Sequence, residues 1–393
     1  MSWPLVKLGE VAPSKALKKP VVRDEDNVWQ LNLDMVESGS GKVLNKIKAP
    51  LSEAGSSTHW FDSRHVLYSK LRPYLNKVVL PDEQGLATTE LVPMLPDPEM
   101  LDRRYLVHYL RSKQFVSWIS DQVAGAKMPR VSMKVFWDHE IPLPPLDEQK
   151  RIAAILDKAD AIRQKRKQAI DLADEFLRSV FLDMFGDPVT NPKGWEVRTL
   201  GDLAANKGDM VDGPFGSSVN TKVDYVENGE IPVIRTKNVS DKGTFKSDDL
   251  KFMTREKYET VIRSQVLPGD IVLTKVGTIG NVCIFPSDYP EAVLSTTGSC
   301  RIRLSSDMVT KTYIFFFLQL YKKKMLEIAS AGVQPFLNMK HIKGFEVPIP
   351  TIESMERFES IVSKAKELTY NQNLSKPDTL FEGLSQKAFS GQL

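Results

Sequence analysis

The stretch Trp3-Pro-Leu-Val-Lys-Leu-Gly-Glu-Val11 returns 192 positions later as Trp195-Glu-Val-Arg-Thr-Leu-Gly-Asp-Leu203. A second marker, Ile141-Pro-Leu-Pro144, returns 206 positions later as Val347-Pro-Ile-Pro350. Between them Ser69-Lys70 answers Thr274-Lys275, Ala87-Thr-Thr-Glu90 answers Ser295-Thr-Thr-Gly298, and Met133-Lys134 answers Met339-Lys340. The order is kept throughout. A period near 200 residues is far longer than the few tens of residues of a solenoid unit, so the pattern predicts a duplicated domain with a tail. Two similar modules on one chain predict two similar targets.

The 393 residues suffice for two or three domains, each with its own core. The 41% hydrophobic and 26% charged content is that of an ordinary soluble protein, and no apolar run is long enough to span a bilayer. The start of the chain carries no secretion signal, which predicts a cytoplasmic protein. Cys283 and Cys300 cannot complete a four-ligand metal site and read as reduced structural thiols. The net charge of +3 says little about partners. Its distribution says more: residues 42–80 carry Lys42, Lys46, Lys48, Arg64, Lys70, Arg72 and Lys77 against only Glu53 and Asp62. Such a cluster suits phosphate contacts, and it equally suits a solvated face.

Short β-rich runs such as Lys77-Val-Val-Leu80 alternate with turn clusters such as Glu37-Ser-Gly-Ser-Gly41, which predicts an α+β module over 1–144 and a second over 188–350. Tyr105–Ser112 and its counterpart Tyr313–Leu320 read as apolar core helices. After Pro144-Pro145 a stretch without Gly or Pro runs to Phe185, with Asp147 and Glu148 in its first turn. These are helix-start signals. With Ile152 at heptad position a, Ile155, Ala159, Ile162, Ala169, Ala173, Phe176 and Val180 fall on one seam. A central spacer helix over 145–187, on the order of 60 Å long, therefore needs a partner. The tail over 351–393 supplies one: Met355, Phe358, Ile361, Val362, Ala365 and Leu368 show helical spacing, and Leu380, Phe381, Leu384 and Ala388 resume it. Lys376-Pro377 interrupts it. The expected fold is thus α+β, with two similar α/β recognition domains separated by an antiparallel pair of long helices.

The block Ile141–Leu156, the charged helix ending Phe185-Gly-Asp-Pro188, the terminus Lys387-Ala-Phe-Ser-Gly-Gln-Leu393, and the segments Trp195–Leu203, Asp212-Gly-Pro-Phe-Gly-Ser217 and Ile231–Val239 together resemble type I restriction-modification specificity subunits. The resemblance covers essentially the whole chain. It implies a non-catalytic DNA-reading subunit in which each domain reads one half of a split double-stranded target. It also implies that modification subunits, which bind S-adenosylmethionine, dock on the helical spacer, and that an ATP- and Mg-dependent restriction subunit joins them, leaving this chain without a cofactor of its own. Half-sites about one duplex turn apart would let both modules reach the same face of the DNA. Two departures stand out. Thr351-Ile-Glu-Ser-Met-Glu-Arg357 replaces the Pro-Leu-Asp-Glu-Gln pattern of residues 145–149, and the first module lacks a clear Gly-Pro-Phe-Gly loop.

For direct readout the candidates are Lys70, Arg72, Lys127 and Arg130 in the first module and Arg235, Lys237, Asn238 and Lys275 in the second. Arg and Lys suit guanine and Asn suits adenine. About one in three of them should reach a base, since most such side chains contact phosphate. For partner docking on the spacer the candidates are Ile152, Ile155, Ile162, Phe176 and Val180.

Enzyme signatures fail on inspection. Asn191-Pro192-Lys193-Gly194 lacks the Pro-Pro-aromatic loop of an adenine methyltransferase. Gly39-Ser-Gly-Lys-Val43 lacks a phosphate loop's first Gly, since Val36 stands there, and its Ser or Thr after the Lys. The histidines at 59, 65, 108, 139 and 341 form no metal-ligand spacing. The rival readings are a self-contained DNA-modifying enzyme and a tandem coiled-coil scaffold.

Overall fold

The computed structural model describes residues 3–124, 128–204, 206, 208–305, 307–329, 335–370 and 377–393. The chain divides into two compact units, one formed by residues 1–168 with 373–393 and the other by residues 169–372.

In the first unit a four-stranded sheet runs Ile47–Pro50, Asn27–Leu31, Gly85–Thr88, Thr58–Phe61. Its central pair is parallel, with Trp29 opposite Gly85, and its outer pairs are antiparallel. A smaller antiparallel sheet joins Val78–Val79, Val66–Ser69 and Leu91–Met94. The second unit repeats this plan. Its mixed sheet runs Lys251–Met253, Ile231–Ile234, Ala292–Leu294, Gln265–Val266, again with a parallel central pair, Val233 opposite Val293. Its antiparallel sheet adds a fourth strand, Met210–Asp212, beside Ser299–Ile302.

The two repeated markers turn out to be partners. Leu5–Lys7 pairs with Glu140–Pro142, and Glu196–Thr199 with Glu346–Ile349, so each unit is closed by an antiparallel ribbon between its ends. The Leu8 N–H donates to His139 O and the Leu200 N–H to Phe345 O, both at 2.8 Å. Ribbon closure explains why similarity is strongest at the two ends of each half. The aromatic helices behave alike: the Tyr105 hydroxyl donates to Pro142 O at 2.8 Å and that of Tyr313 to Pro348 O at 2.6 Å. Both are buried, as a core helix requires.

The expected unbroken helix spans Leu146–Phe185. Gln149, fully buried, anchors its start: it accepts from the Asp102 N–H at 2.8 Å and donates to Met100 O at 2.9 Å and Pro144 O at 2.8 Å. The equivalent place in the second unit is the buried Met355, so the departure at 351–357 exchanges a polar anchor for an apolar one.

The seam needs correction. Ile152 is buried and Ile155 and Val180 are half-buried, but Ile162 is 58% and Phe176 54% exposed. The buried apolar positions are Ile152, Ala153 and Leu156 in the first unit and Leu177, Phe181 and Phe185 in the second. A straight helix drifts by about 20° per heptad against a strict seven-residue repeat, hence by about 80° over four heptads, close to the 100° of a single residue. The frame that holds at Ile152 is therefore one residue out at Val180, and Phe181 takes the inward place.

The tail forms two helices, Ile352–Tyr370 and Pro377–Phe389. In the second unit Phe358 lies edge-on to Phe181 and Phe185, both with centroids at 5.5 Å. In the first unit Arg163 sits 4.9 Å over the Phe381 ring, and Arg151 donates to Leu393 O at 3.0 Å. In the first unit Arg151 meets Leu393 and Arg163 meets Phe381, and in the second Asp174 lies within electrostatic reach of Lys366 while Phe181 meets Phe358, so both helix pairings are antiparallel. Lys376 lies outside the described residues. Leu368, read from its spacing as inward, is exposed.

Candidate nucleic-acid interface

In each unit three loops meet beside the antiparallel sheet, and the backbone bonds that join them are the same twice. The Lys70 N–H donates to Glu90 O at 3.0 Å and the Val131 N–H to Lys70 O at 2.9 Å. In the second unit the Lys275 N–H donates to Gly298 O at 2.8 Å and the Leu337 N–H to Lys275 O at 3.0 Å. Lys70 thus corresponds to Lys275, Glu90 to Gly298 and Val131 to Leu337, which puts Phe336 where the first unit has Arg130. The hairpin loops agree: each has two left-handed residues, Arg72 and Asn76 in one, Gly277 and Gly280 in the other.

Within this shared frame the side chains differ. Arg130 is exposed and its guanidinium donates to Glu90 Oε1 at 3.0 Å; the hydrogen bond and charge of Glu90 hold its pKa above the usual value. Arg72 is exposed at φ +49°, a backbone region costing a residue with a Cβ about 1 kcal/mol or more. Lys70 is half-buried, and among the described residues no carboxylate lies within ion-pair distance of it. Burial, and next the nearby Lys70 charge, depress the pKa of His59. Lys127 lies outside the described residues.

The second unit answers with neutralised charge. Lys275 is buried and bound to Asp212 at 2.6 Å. Asn238 is fully buried, its amide N–H donating to Lys246 O at 3.0 Å and its oxygen accepting from the Arg235 N–H at 3.0 Å, so its base-reading edge is committed inside its own loop. Lys237 and Arg235 both engage Asp249, with Lys237 the more exposed. What the second unit exposes instead is apolar: Phe215 in the Gly-Pro-Phe-Gly loop, Val276 and Phe336. That loop presses on the strand end so closely that a Cβ at Gly213 would lie 1.6 Å from Ser295 O, which only glycine permits. Glu90 and Phe336 were not among the sequence candidates, although their signal was present: the match of Ala87–Glu90 to Ser295–Gly298, and of Met133 to Met339, assigns their partners by counting.

The candidate docking residues divide as the corrected seam requires. Ile152 is core, Ile155 and Val180 lie at its margin, and Ile162 and Phe176 present apolar surface to solvent, as does Leu172. Both cysteines are buried and free, and burial pushes their thiols up to about 12. Among the described residues no group of three His, Cys, Asp or Glu side chains could hold a metal ion, and no helix is long and apolar enough to cross a membrane.

A duplicated α+β unit, with a long helix between its repeated segments and an equivalent three-loop cluster on each copy, defines a tandem two-domain protein. The type I restriction modification DNA specificity domain matches twice, over residues 2–172 and 192–373, and the chain belongs to that family. It is 23% identical over 300 residues to the type I restriction enzyme MjaVIII specificity subunit of Methanocaldococcus jannaschii, covering 71% of this chain and 68% of that one. It is 22% identical over 349 residues to the EcoBI specificity subunit of Escherichia coli, covering 81% and 71%. Among solved structures, the S subunit of the type I restriction-modification system from M. genitalium shares the fold with a TM-score of 0.57 at 16% identity, over 99% of this chain and 96% of that one. A chain from a type I R-M system solved for its complex assembly and conformational transition has a TM-score of 0.51 at 19% identity, over 100% and 98%. The expected α+β fold with two similar recognition domains is borne out, as is the specificity-subunit family.

Proposed function

We propose that each unit reads one half of a split double-stranded DNA sequence through its three-loop cluster. The observation that carries this is the repeated loop frame, in which equivalent backbone bonds hold different side chains; a repeated scaffold with different tips is what a pair of readers with separate targets needs. The reading assigns no chemistry to this chain. Modification subunits dock on exposed apolar positions of the central helix, Ile162 in the first unit and Phe176 with Leu172 in the second, and bring S-adenosylmethionine; a restriction subunit brings ATP and Mg. The assembly works in the cytoplasm.

The test is selection of bound duplexes from a random library by the full chain together with its modification subunits. Two short conserved blocks at a constant spacing are expected, with affinity falling as salt rises. A scaffold would select nothing, and methyl transfer by the purified chain alone would make it an enzyme. Ile162→Asp with Phe176→Asp, both at exposed positions, is expected to abolish co-purification with the modification subunit while leaving both units folded.

A further inference from the structure

The position shared by Arg130 and Phe336 is occupied by opposite chemistry in frames held by equivalent backbone bonds. In the first unit it holds a guanidinium aligned by Glu90, flanked by Lys70 and by an arginine in a left-handed backbone position. In the second unit every one of those charges is gone or cancelled: Phe336 replaces Arg130, Gly298 replaces Glu90, Gly277 replaces Arg72, and Lys275 is buried against Asp212. The changes are coupled. Removing Arg130 while keeping Glu90 would leave a bare carboxylate beside a phosphate backbone; replacing both leaves an apolar tip 49% exposed, next to the exposed Val276. Arg72 stands at φ +49° where its counterpart is glycine, so the first unit carries a backbone cost here that the second does not.

We infer that position 130/336 decides which base pair each unit accepts, the Arg130–Glu90 couple taking a G·C pair in one half-site and Phe336 taking an A·T pair in the other. The chemistry follows from the groove edges. Arginine donates to guanine O6 and N7, a carboxylate accepts from cytosine N4, and an apolar side chain packs on the thymine methyl group. A phenylalanine offers guanine no donor, so its presence disfavours G·C by leaving the base's acceptors unpaired. The inference rests on the proposed DNA-reading role and adds to it a named discriminating position and its expected base in each half.

The experiment is the same library selection, run on the full chain with its modification subunits as wild type, Arg130→Ala, Phe336→Ala, Phe336→Leu and the double variant Phe336→Arg with Gly298→Glu. Arg130→Ala is expected to lower the preference for G·C at one base pair of one half-site by on the order of 10- to 100-fold, with the other half unchanged. Phe336→Ala lowers an A·T preference in the opposite half by about tenfold, Phe336→Leu retains it, and the double variant moves that base pair toward G·C. Phe336 is exposed, so these changes leave the core intact, and equal affinity for non-specific DNA at low salt checks this. Identical selected sites in wild type and Phe336→Ala, or a uniform loss on all sequences, would overturn the inference while leaving the DNA-reading role in place. A wild type that selects no sequence overturns both.

Discussion

Lys275 Nζ lies 2.6 Å from Asp212 Oδ2, joining the loop that follows one strand to the end of another, with the lysine 4% exposed. A buried ammonium without its counter-charge is costly, whereas removing both charges is close to neutral. Asp212→Asn should therefore destabilise the second unit by about 3 kcal/mol, the low end for a broken buried pair because Asp212 itself is partly exposed. Faster amide exchange in Ser299–Ile302 would report the loss. Lys275→Met added to Asp212→Asn should recover most of the protection, and unchanged exchange in the single variant would show that the pair does not hold the loops.

Gln149→Met tests whether the central helix is anchored by hydrogen bonds in the first unit. Methionine is what the second unit uses at Met355, so size is accommodated, but the Asp102 N–H and two carbonyls lose their partner. The expected cost is about 2 to 3 kcal/mol, seen as earlier thermal unfolding and as proteolysis near Pro144. Met355→Gln should also destabilise, because it buries an amide among apolar neighbours.

Phe176 and Phe181 distinguish surface from core on one helix. Phe181 touches Tyr313, Phe316, Phe185 and Phe358, and its change to Ala should cost about 3 to 5 kcal/mol. Phe176→Ala should stay within about 0.5 kcal/mol in the isolated chain. Denaturant midpoints of the two variants check this, and equal midpoints would refute the corrected seam.

The first unit should lose stability in mild acid. His139 accepts or donates a hydrogen bond at 2.9 Å with the Tyr109 hydroxyl and stacks on Trp118, and burial lowers its pKa from 6.5 to about 4. Above about pH 6.5 the ring is neutral in both states and the contribution is complete. As pH falls from 6.5 toward 4 the unfolded chain takes up the proton first, so stability declines, and below 4 the difference is constant. The second unit has Phe317 and Phe345 in these places, so Tyr109→Phe with His139→Phe should flatten this pH dependence. Exchange protection of Lys113–Asp121 at pH 7 and pH 4.5 measures it; an unflattened slope would assign the acid sensitivity elsewhere.

Much of this architecture is legible without coordinates. The paired markers report the ribbons because both strands of a ribbon must keep compatible patterns, and the absence of Gly and Pro over Leu146–Phe185 reports the helix because both residues interrupt helices. Less of the interface is legible. Lys275 and Arg130 look alike as isolated cations, and only their surroundings, with Asp212 from a distant strand over the one and a half-buried Glu90 beside the exposed other, separate a buried structural charge from a presented one.

The sequence by itself determined that there are two copies of one α+β domain and that a long helix runs between them, since periodicity and local propensity are written along the chain. Only the tertiary structure decided which face of that helix is buried and which residues share position 130/336. Helical phase accumulates over many turns until a one-residue error is invisible locally, and the correspondence of Arg130 with Phe336 depends on hydrogen bonds between loops far apart in sequence.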